Sequence, residues 1–340
     1  VGNKAYQMSI SSLPIIKAND ARKKINILAS QGSSFFFAID FSMENAIVLT
    51  ENEQDTEFIR FNINGFTNEK KSSEKKEIGK IQWDIFPISF EQYRHKFNSV
   101  IKEIQLGNSF LINLTQPTKI NHNTSLLSIY KYASAKYKVW LKDTFLVLSP
   151  EPFIRTQGKK ISSFPMKGTI DASIPNAEKI ILNNPKEMAE HATIVDLIRN
   201  DLSIVASNIY VKKYRYIEKI TTLQKDLLQV SSEISGTLPD EYNKHMGDIL
   251  FKLLPAGSIS GAPKHKTLDI IATTEGYERG FYTGVCGYFD GENMESAVMI
   301  RFVEEKNKTF IFKSGGGITA QSDVKKEYEE LINKVYVPVF

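Results

Sequence analysis

The sequence predicts an α+β fold in which large antiparallel sheets are flanked by helices. Two observations carry this prediction. In the last third of the chain, several long strand-like segments follow one another without helices between them, whereas a doubly wound parallel sheet would alternate strands with helices. The chain of 340 residues, of which 41% are hydrophobic, is also long and apolar enough to bury a large core.

The first 80 residues are predicted to form a β-rich subdomain that ends in a charged loop. Its strand candidates are 33–41, "SSFFFAIDF", and 45–50, "NAIVLT", which are rich in β-forming residues and separated by polar residues. The stretch 69–80, "EKKSSEKKEIGK", mixes lysines with acids and serines, as a solvated loop does. We therefore expect a subdomain over 1–80 and a larger domain over 81–340.

Helices are predicted where apolar residues recur at every third or fourth position. Residues 89–107 have this spacing, and Ser89 can cap the first turn while Gly107 can end the helix. Residues 185–206 begin with Pro185, which suits a first helical turn, and acidic residues follow it. Further helices are predicted over 245–255, directly after the glycine-rich turn 256–264, and over 322–336.

Strands are predicted where β-forming residues run between turn signals. One of these runs, "TFLVLSPEPFI", ends in a turn flanked by prolines. The predicted strands of the larger domain cover 109–117, 144–154, 284–290, 295–305 and 308–315.

The composition excludes several classes of protein. The formal charge of +4, from 43 basic and 39 acidic residues, is too small a surplus for a typical nucleic-acid binder. No apolar run approaches the roughly 18 residues that span a bilayer, and the first residues lack a signal-peptide core. The single cysteine, Cys286, excludes an intrachain disulfide. We expect a cytoplasmic protein without a nucleic-acid or membrane partner.

Two pairs of glutamates share a spacing of three residues on predicted helices. Glu187 and Glu190 lie near the start of one helix, and Glu327 and Glu330 lie on the last one. Residues three apart project from the same helix face. If the two pairs faced each other, four carboxylates would require a hard cation such as Mg²⁺ between them. The simpler interpretation, from spacing alone, is a set of surface acids.

Two other segments could meet an anion. The run 313–323, "KSGGGITAQSD", places three glycines after a strand, so backbone N–H groups could approach a carboxylate or phosphate; a plain β-turn is the alternative. Arg301 lies among apolar residues in a predicted strand and needs a protein acid or a ligand carboxylate as a partner. The segment 256–264, "AGSISGAPK", lacks the phosphate-loop spacing, which argues against a nucleotide site.

Lys167 and His245 are candidate catalytic residues. Lys167 lies in "SSFPMKGTI", an apolar segment rich in turn residues. Desolvation there would lower the pKa of the amine and expose a neutral nucleophile, although a surface lysine is the simpler interpretation of the local sequence. His245 starts an amphipathic helix, where a lone histidine is more often structural than catalytic.

Taken together, these segments resemble the chorismate-utilising enzyme family. Eight of them occur in the family's order between about Gly107 and Leu331: "GNSFLINLTQ", "LSPEPFI", "PMKGT", "EMAEHATIVDLIRNDL", "GSISGAPK", "YTGVCGYF", "MIRF" and "GGGITAQSDVKKEYEE". The resemblance implies a large α/β sandwich of antiparallel sheets flanked by helices. It also implies that residues 81–340 form a chorismate-binding catalytic domain.

The resemblance implies roles for most of the candidate residues. Mg²⁺ would be bound directly by Glu190 and Glu330 and, through water, by Glu187 and Glu327. The magnesium would hold the ring carboxylate of chorismate. The remaining implied contacts with chorismate involve Arg301 and Tyr282 at the enolpyruvyl carboxylate, the backbone of Gly315 and Gly317, Thr169 beside the ring, and His245 as the active-site histidine.

Two positions favour one branch of the family. Relatives that add water to chorismate carry a basic lysine where this chain has Leu111, which cannot accept a proton. The "KGT" segment resembles the aminodeoxychorismate synthase branch, which leads toward 4-aminobenzoate and folate. In that branch the lysine, here Lys167, attacks the substrate covalently, and Glu151 would protonate the leaving hydroxyl. Close relatives often carry glutamine at the position of Leu111, so this part of the pocket differs from theirs.

The resemblance also implies a partner and leaves two rivals. No glutaminase signature occurs in the chain, so a separate glutamine amidotransferase subunit is expected to supply ammonia. The nearest rival interpretation is the first component of anthranilate synthase, which shares nearly every motif. The second rival is a chorismate-binding subunit without catalytic activity.

Overall fold

The structure is a computed structural model and describes residues 14–70, 81–221 and 226–337. Two antiparallel sheets lie face to face, with helices on their outer surfaces. Within the described residues, the strands in chain order are β1 (Ile16–Lys17), β2 (Phe35–Ile39), β3 (Asn45–Thr50), β4 (Ile59–Ile63), β5 (Phe66–Thr67), β6 (Trp83–Phe86), β7 (Leu111–His122), β8 (Tyr137–Leu141), β9 (Phe145–Ser149), β10 (Pro152–Gln157), β11 (Lys160–Ser163), β12 (Met166–Asp171), β13 (Ser207–Thr221), β14 (Asp226–Thr237), β15 (Gly261–Ala262), β16 (Val285–Phe289), β17 (Met294–Val298), β18 (Phe302–Lys306) and β19 (Thr309–Ile318).

The strands divide between two sheets. In the first sheet the order is β1-β3-β2-β16-β17-β10-β11-β14-β12, and β13 pairs with the other edge of β14. In the second sheet the order is β15-β7-β19-β18-β9-β8-β4-β5, and β6 pairs with β7. All of these pairings are antiparallel, which confirms the predicted α+β sandwich.

The helices begin and end close to their predicted bounds. In the predicted helix 89–107, the Ser89 side chain accepts a hydrogen bond from the backbone N–H of Gln92 and caps the first turn. The helices of the described residues are α1 (Ala18–Ser30), α2 (Phe90–Gln105), α3 (Leu126–Tyr132), α4 (Ala177–Leu182), α5 (Pro185–Ser203), α6 (Met246–Leu253), α7 (Gly257–Ser260), α8 (Lys264–Glu275) and α9 (Val324–Asn333). None of them is long and apolar enough to cross a membrane.

Three hydrophobic layers hold the sandwich together. Between the sheets, the rings of Phe36 and Phe61 stack with centroids 4.7 Å apart. Helices α1, α5 and α6 cover the outer face of the first sheet. Helices α2, α8 and α9 cover the second sheet, and α3 packs against another part of it. Burial of this apolar surface is the main force that holds the layers together.

The predicted N-terminal subdomain, 1–80, has no sheet of its own among its described residues. Strand β2 pairs with β16, and β4 pairs with β8, so both sheets combine early and late parts of the chain. The boundary at residue 80 therefore does not separate two sheets. Most of the predicted charged loop, 71–80, lies outside the described residues.

Candidate active site

The candidate site lies where the chain passes from one sheet to the other. The predicted strand 144–154 is two strands, β9 in the second sheet and β10 in the first, and Glu151 lies in the link between them. The predicted strand 295–305 divides in the same way into β17 and β18, and Arg301 lies in that link with a φ of 50°. The expectation that Arg301 lies inside a strand was therefore wrong.

Lys167 is presented by a bulge in the edge strand β12. Met166 pairs with Ser231 and Thr169 with Gln229, so two residues of β12 oppose one residue of β14, which is the geometry of a β-bulge. Gly168, the second bulge residue, has a φ of +88°, and a Cβ there would lie 2.9 Å from a carboxylate oxygen of Glu187. Only glycine meets both conditions without strain.

The amine of Lys167 forms an ion pair. Its Nζ lies 2.9 Å from Glu190 Oε2, and 27% of the lysine side chain is exposed. Desolvation acts to lower the pKa of Lys167, but the charges of Glu190, Glu330 and Glu187 outweigh it, so the pKa is raised. The sequence-based expectation of a lowered pKa was wrong, because it considered apolar surroundings and not the carboxylates around the amine.

Both predicted acidic pairs face this region. Glu187 approaches the bulge, and Glu327 and Glu330 approach Gly316, where a Cβ would lie 3.4 Å and 3.5 Å from their carboxylate oxygens. In the part of the chain that the structure describes, no three acidic, histidine or cysteine side chains stand close enough to hold a metal ion as arranged. The donors are all carboxylate oxygens, however, and three of the four act on one cation, the Lys167 ammonium. Their chemistry fits Mg²⁺.

The three glycines at 315–317 belong to strand β19 and not to a turn. Gly315, Gly316 and Gly317 pair with residues 115, 114 and 113 of β7, so the plain β-turn alternative is wrong. A Cβ at Gly317 would lie 2.9 Å from Leu111 Cδ1 and 3.6 Å from Lys167 Nζ. The missing side chains therefore leave room for the lysine beside the sheet.

Lys334 is a site residue that the sequence reasoning missed. It lies just after α9, four residues beyond Glu330, and its Nζ is 2.6 Å from Glu330 Oε1 and donates to the Gly315 carbonyl at 2.8 Å. Desolvation lowers the pKa of Lys334, and the charge of Glu330 opposes this. The i,i+4 spacing of Glu330 and Lys334 was the available signal.

Glu151 has the environment of a carboxyl that holds its proton. Ser258, on α7, donates a hydrogen bond to Glu151 Oε1 at 2.6 Å. Desolvation raises the pKa of Glu151 despite that hydrogen bond and the positive charges of Lys334, Lys167 and Arg301. A carboxyl with a raised pKa suits a general acid. Ser258 was not among the predicted site residues, although it lies in the quoted segment "GSISGAPK".

Of the predicted substrate-binding side chains, Arg301 lies near enough for its charge to act on Glu151. Arg301 stacks on the ring of Tyr336, with its guanidinium carbon 4.8 Å from the ring centroid. Tyr282 is buried, and its pKa is raised by desolvation and partly lowered by the charge of Arg279 and, to a smaller extent, by that of Arg301. Thr169 is exposed on β12, two residues beyond Lys167.

His245 is not brought to this site. Its side chain is 65% exposed, and Nδ1 lies 3.3 Å from Asp248 Oδ2. It lines a separate surface cavity of about 530 Å³ with Arg22 and Lys252, between α1 and α6. The structure therefore gives no support to His245 as the active-site histidine: the residue directly precedes α6, and its side chain lies with those of Arg22 and Lys252.

Another histidine, His191, is buried directly behind the site. It follows Glu190 on α5, and its Nε2 lies 2.7 Å from Ser232 Oγ. Desolvation and the charges of Arg215 and Lys167 lower the pKa of His191 to about 4, although the Lys167 backbone carbonyl acts to raise it. The ring is therefore neutral at physiological pH.

The site thus gathers a lysine, a partly buried carboxyl, two cationic side chains and four glutamates at the junction of two sheets. The chorismate binding enzyme family matches residues 21–339 of this chain. The chain belongs to the chorismate binding enzyme family. This confirms the family and the fold that the sequence motifs implied.

Relatives within the chorismate binding enzyme family cover most of the chain. It is 46% identical over 317 residues to an uncharacterized PabA-like protein of Haemophilus influenzae, covering 93% of this chain and 96% of the relative. It is 31% identical over 261 residues to aminodeoxychorismate synthase component 1 of Escherichia coli, covering 72% of this chain and 56% of that protein.

A solved member of the family has the same fold. Anthranilate synthase component I of Streptococcus pneumoniae superposes with a TM-score of 0.63 at 26% identity. The alignment covers 74% of this chain and 58% of that protein. The sandwich described above is therefore the architecture of the family.

Proposed function

We propose that this chain aminates chorismate at C4, as the first component of an aminodeoxychorismate synthase. The observation that carries the proposal is the amine of Lys167, which pairs with Glu190, is acted on by the charges of Glu330 and Glu187, and lies beside Gly317. Its apolar neighbour Leu111 provides no base that could activate water. Among the relatives, an aminodeoxychorismate synthase component 1 is 31% identical.

Chorismate is a dicarboxylate, and the site offers a positive group for each end. Arg301 and Tyr282 hold the enolpyruvyl carboxylate, since a guanidinium pairs with a carboxylate through two parallel hydrogen bonds. Glu190 and Glu330 would hold Mg²⁺, and Glu187 and Glu327 would support it through water. When bound, Mg²⁺ supplies a positive charge that holds the ring carboxylate and offsets the acidic charge around Lys167.

Lys167 acts as the nucleophile in the first half of the reaction. Its neutral amine attacks ring C2, the two ring double bonds shift by one position each, and the C4–O bond breaks. Glu151 donates its proton to the departing hydroxyl, which leaves as water. The Lys167 nitrogen, now bonded to C2, then loses a proton.

Ammonia completes the reaction. It attacks C4, the double bonds return to their original positions, and the C2–N bond to Lys167 breaks. The new C4 ammonium loses one proton, and the departing Lys167 nitrogen gains one, so that the free amine is restored. The product is 4-amino-4-deoxychorismate, the precursor of 4-aminobenzoate on the route to folate. The enolpyruvyl group stays on the ring, so no pyruvate is released.

The ammonia comes from a separate glutamine amidotransferase subunit. Hydrolysis of glutamine by such enzymes needs a reactive thiolate. The single cysteine of this chain, Cys286, is fully buried between the sheets, and burial raises the pKa of its thiol to about 12. This chain therefore has no thiolate that could release ammonia from glutamine.

The test is incubation with chorismate, ammonium and Mg²⁺, followed by identification of the product by mass spectrometry. We expect 4-amino-4-deoxychorismate and no pyruvate. Fluorescent anthranilate together with pyruvate would instead identify the first component of anthranilate synthase. Unchanged chorismate, with binding measured by calorimetry, would identify a chorismate-binding subunit without catalytic activity.

A further inference from the structure

His191 is a buried polar residue to which the chemistry above gives no part. Its ring is 1% exposed and lies between α5 and strand β14. Tyr214 packs edge-on against it, with ring centroids 5.9 Å apart. A buried imidazole normally satisfies both nitrogens by hydrogen bonds, so the partners of the two nitrogens indicate what the residue does.

The contacts of Ser232, together with the Lys167 backbone carbonyl, indicate which nitrogen of His191 carries the proton. Ser232 Oγ lies 2.7 Å from Nε2 of the ring and accepts a hydrogen bond from the backbone N–H of Arg215 at 2.9 Å. The hydroxyl can donate its own proton to Nε2 while it accepts from Arg215, and the acceptor near the other nitrogen, the Lys167 backbone carbonyl, favours this arrangement. The neutral ring then carries its hydrogen on Nδ1.

The Nδ1 side of His191 faces the strand that carries the nucleophile. Nδ1 is buried and makes no hydrogen bond of standard geometry with any described residue. The polar group on this side of the ring is the backbone carbonyl of Lys167. An Nδ1–H beside a carbonyl is a donor facing an acceptor, and such hydrogen bonds in catalytic sites often shorten only when substrate binds.

The Lys167 carbonyl belongs to the bulge of β12. A bulge residue loses its regular partner in the ladder, so its backbone needs another source of support. Ser232 supplies a second tie, because its backbone N–H donates to the Pro165 carbonyl at 3.0 Å. His191 and Ser232 therefore connect α5 and β14 to the segment on both sides of Met166.

We infer that His191 is a positioning residue that holds the bulge of β12 and so aims the Lys167 amine at the substrate ring. The inference rests on the proposed role of Lys167 as the nucleophile. It assigns His191 no contact with chorismate and no proton transfer. A misplacement of about 1 Å at a reacting atom can cost about 100-fold in rate, so a backbone support of this kind matters to the chemistry.

Three substitutions at one position test the inference. The side-chain N–H of asparagine in His191→Asn reaches about the place of Nδ1, that of glutamine in His191→Gln reaches about the place of Nε2, and His191→Ala removes both. The measurements are kcat and KM for chorismate with ammonium, and the rate at which a covalent adduct on Lys167 forms without ammonium, followed by intact mass.

We expect His191→Ala to lower kcat and the rate of adduct formation by about 10- to 100-fold, with KM for chorismate changed less than about threefold because Arg301 and Tyr282 remain. His191→Asn should recover both rates to within about threefold, and His191→Gln should resemble His191→Ala. Full activity of His191→Ala, rescue by glutamine instead of asparagine, or an effect confined to KM would each overturn the inference.

Two controls distinguish a loss of positioning from a loss of folding and from a failure of the proposed function. Thermal melting of each variant shows whether it folds, and if His191→Ala does not, the comparison of asparagine with glutamine decides. The product of the unsubstituted protein tests the proposed function separately. If that product is not 4-amino-4-deoxychorismate, the proposed function fails, and the order of the three variants in chorismate consumption still supports or overturns the positioning role.

Discussion

The amine of Lys167 lies 2.9 Å from the carboxylate of Glu190, and this ion pair keeps the lysine protonated. Attack on a ring carbon requires the neutral amine. Lys167 is protonated in the ion pair and must lose that proton before it can react. The charge of the surrounding glutamates sets the ratio of the protonated form to the neutral form. Most of the predictions below concern groups that act on this ratio.

Replacing the nucleophile should abolish the reaction. Lys167→Ala should form no adduct with chorismate, and its amination rate should fall to background, because no other described amine occupies its place beside Gly317. Intact mass and product analysis measure the two effects. Two matched controls should keep normal rates: Lys160→Ala, which removes a lysine paired with Glu233, and His245→Ala, in the separate surface cavity. Full amination by Lys167→Ala would exclude an essential covalent role.

Glu151→Gln should remove the proton donor. Loss of a general acid lowers kcat by about 100- to 10,000-fold. Because burial raises the pKa of Glu151, the unsubstituted enzyme keeps the active, protonated form above the usual range of a carboxyl and loses activity as pH rises through the raised pKa. That alkaline decline in kcat should be absent from the residual activity of Glu151→Gln. An unchanged pH profile would assign the decline to another group.

Magnesium should be required for turnover. Dialysis against a chelator should remove activity, and added Mg²⁺ should restore it. Glu327→Gln should raise the Mg²⁺ concentration needed for half-maximal activity by about 10- to 100-fold, as loss of an outer-sphere partner typically does. Glu329→Gln, on the same helix but exposed, is the matched control. Equal magnesium dependence in the two variants would contradict the assignment of Glu327.

Lys334→Met should impair the site without unfolding the protein. It removes the cation beside Glu330 and the donor to the Gly315 carbonyl. Loss of a hydrogen bond from a charged group costs about 1.5–3 kcal/mol, so kcat/KM should fall by about 10- to 100-fold. Lys325→Met changes an exposed lysine at the start of α9 and should leave kcat/KM unchanged. A loss of equal size in both variants would count against a specific role.

A buried ion pair away from the reacting groups should govern stability. Arg279 Nη2 lies 2.7 Å from Glu275 Oε1, both side chains are 1% exposed, and Arg279 also donates to the Asn113 carbonyl. Arg279→Met leaves a buried carboxylate unpaired, which typically costs about 3–5 kcal/mol. Urea unfolding measures this loss. Arg199→Met breaks an exposed pair with Asp196 and should cost less than about 1 kcal/mol.

Local signals in the sequence predicted the elements well. Ser89 caps α2 as expected, and strand β3 has the predicted bounds, 45–50. These features depend on neighbours within one or two turns of the chain, so spacing and residue type are sufficient. The spacing of three residues identified the two acidic pairs, and the motif order identified the family.

Features that depend on contacts between distant parts of the chain could not be predicted from local sequence signals. The segments around Glu151 and Arg301 have the composition of single strands, and nothing in their residues marks the passage from one sheet to the other. Lys334 lies beyond the quoted motifs, and only the folded chain brings it to Gly315. His245 was misplaced because its position in the chain resembles that of an active-site residue, whereas the fold turns it toward α1.

The two passages between the sheets connect the positions of Glu151, the proposed proton donor, and Arg301, the proposed carboxylate anchor. Glu151 and Arg301 each lie in a short link between two strands, and the two strands belong to different sheets of the sandwich. A slight sliding of one sheet over the other would strain both links at once, and it would also move the acidic pair on α5, which packs on the first sheet, relative to the pair on α9, which packs on the second. The alignment of Glu151 with Arg301 therefore depends on how tightly the two sheets of the sandwich pack together.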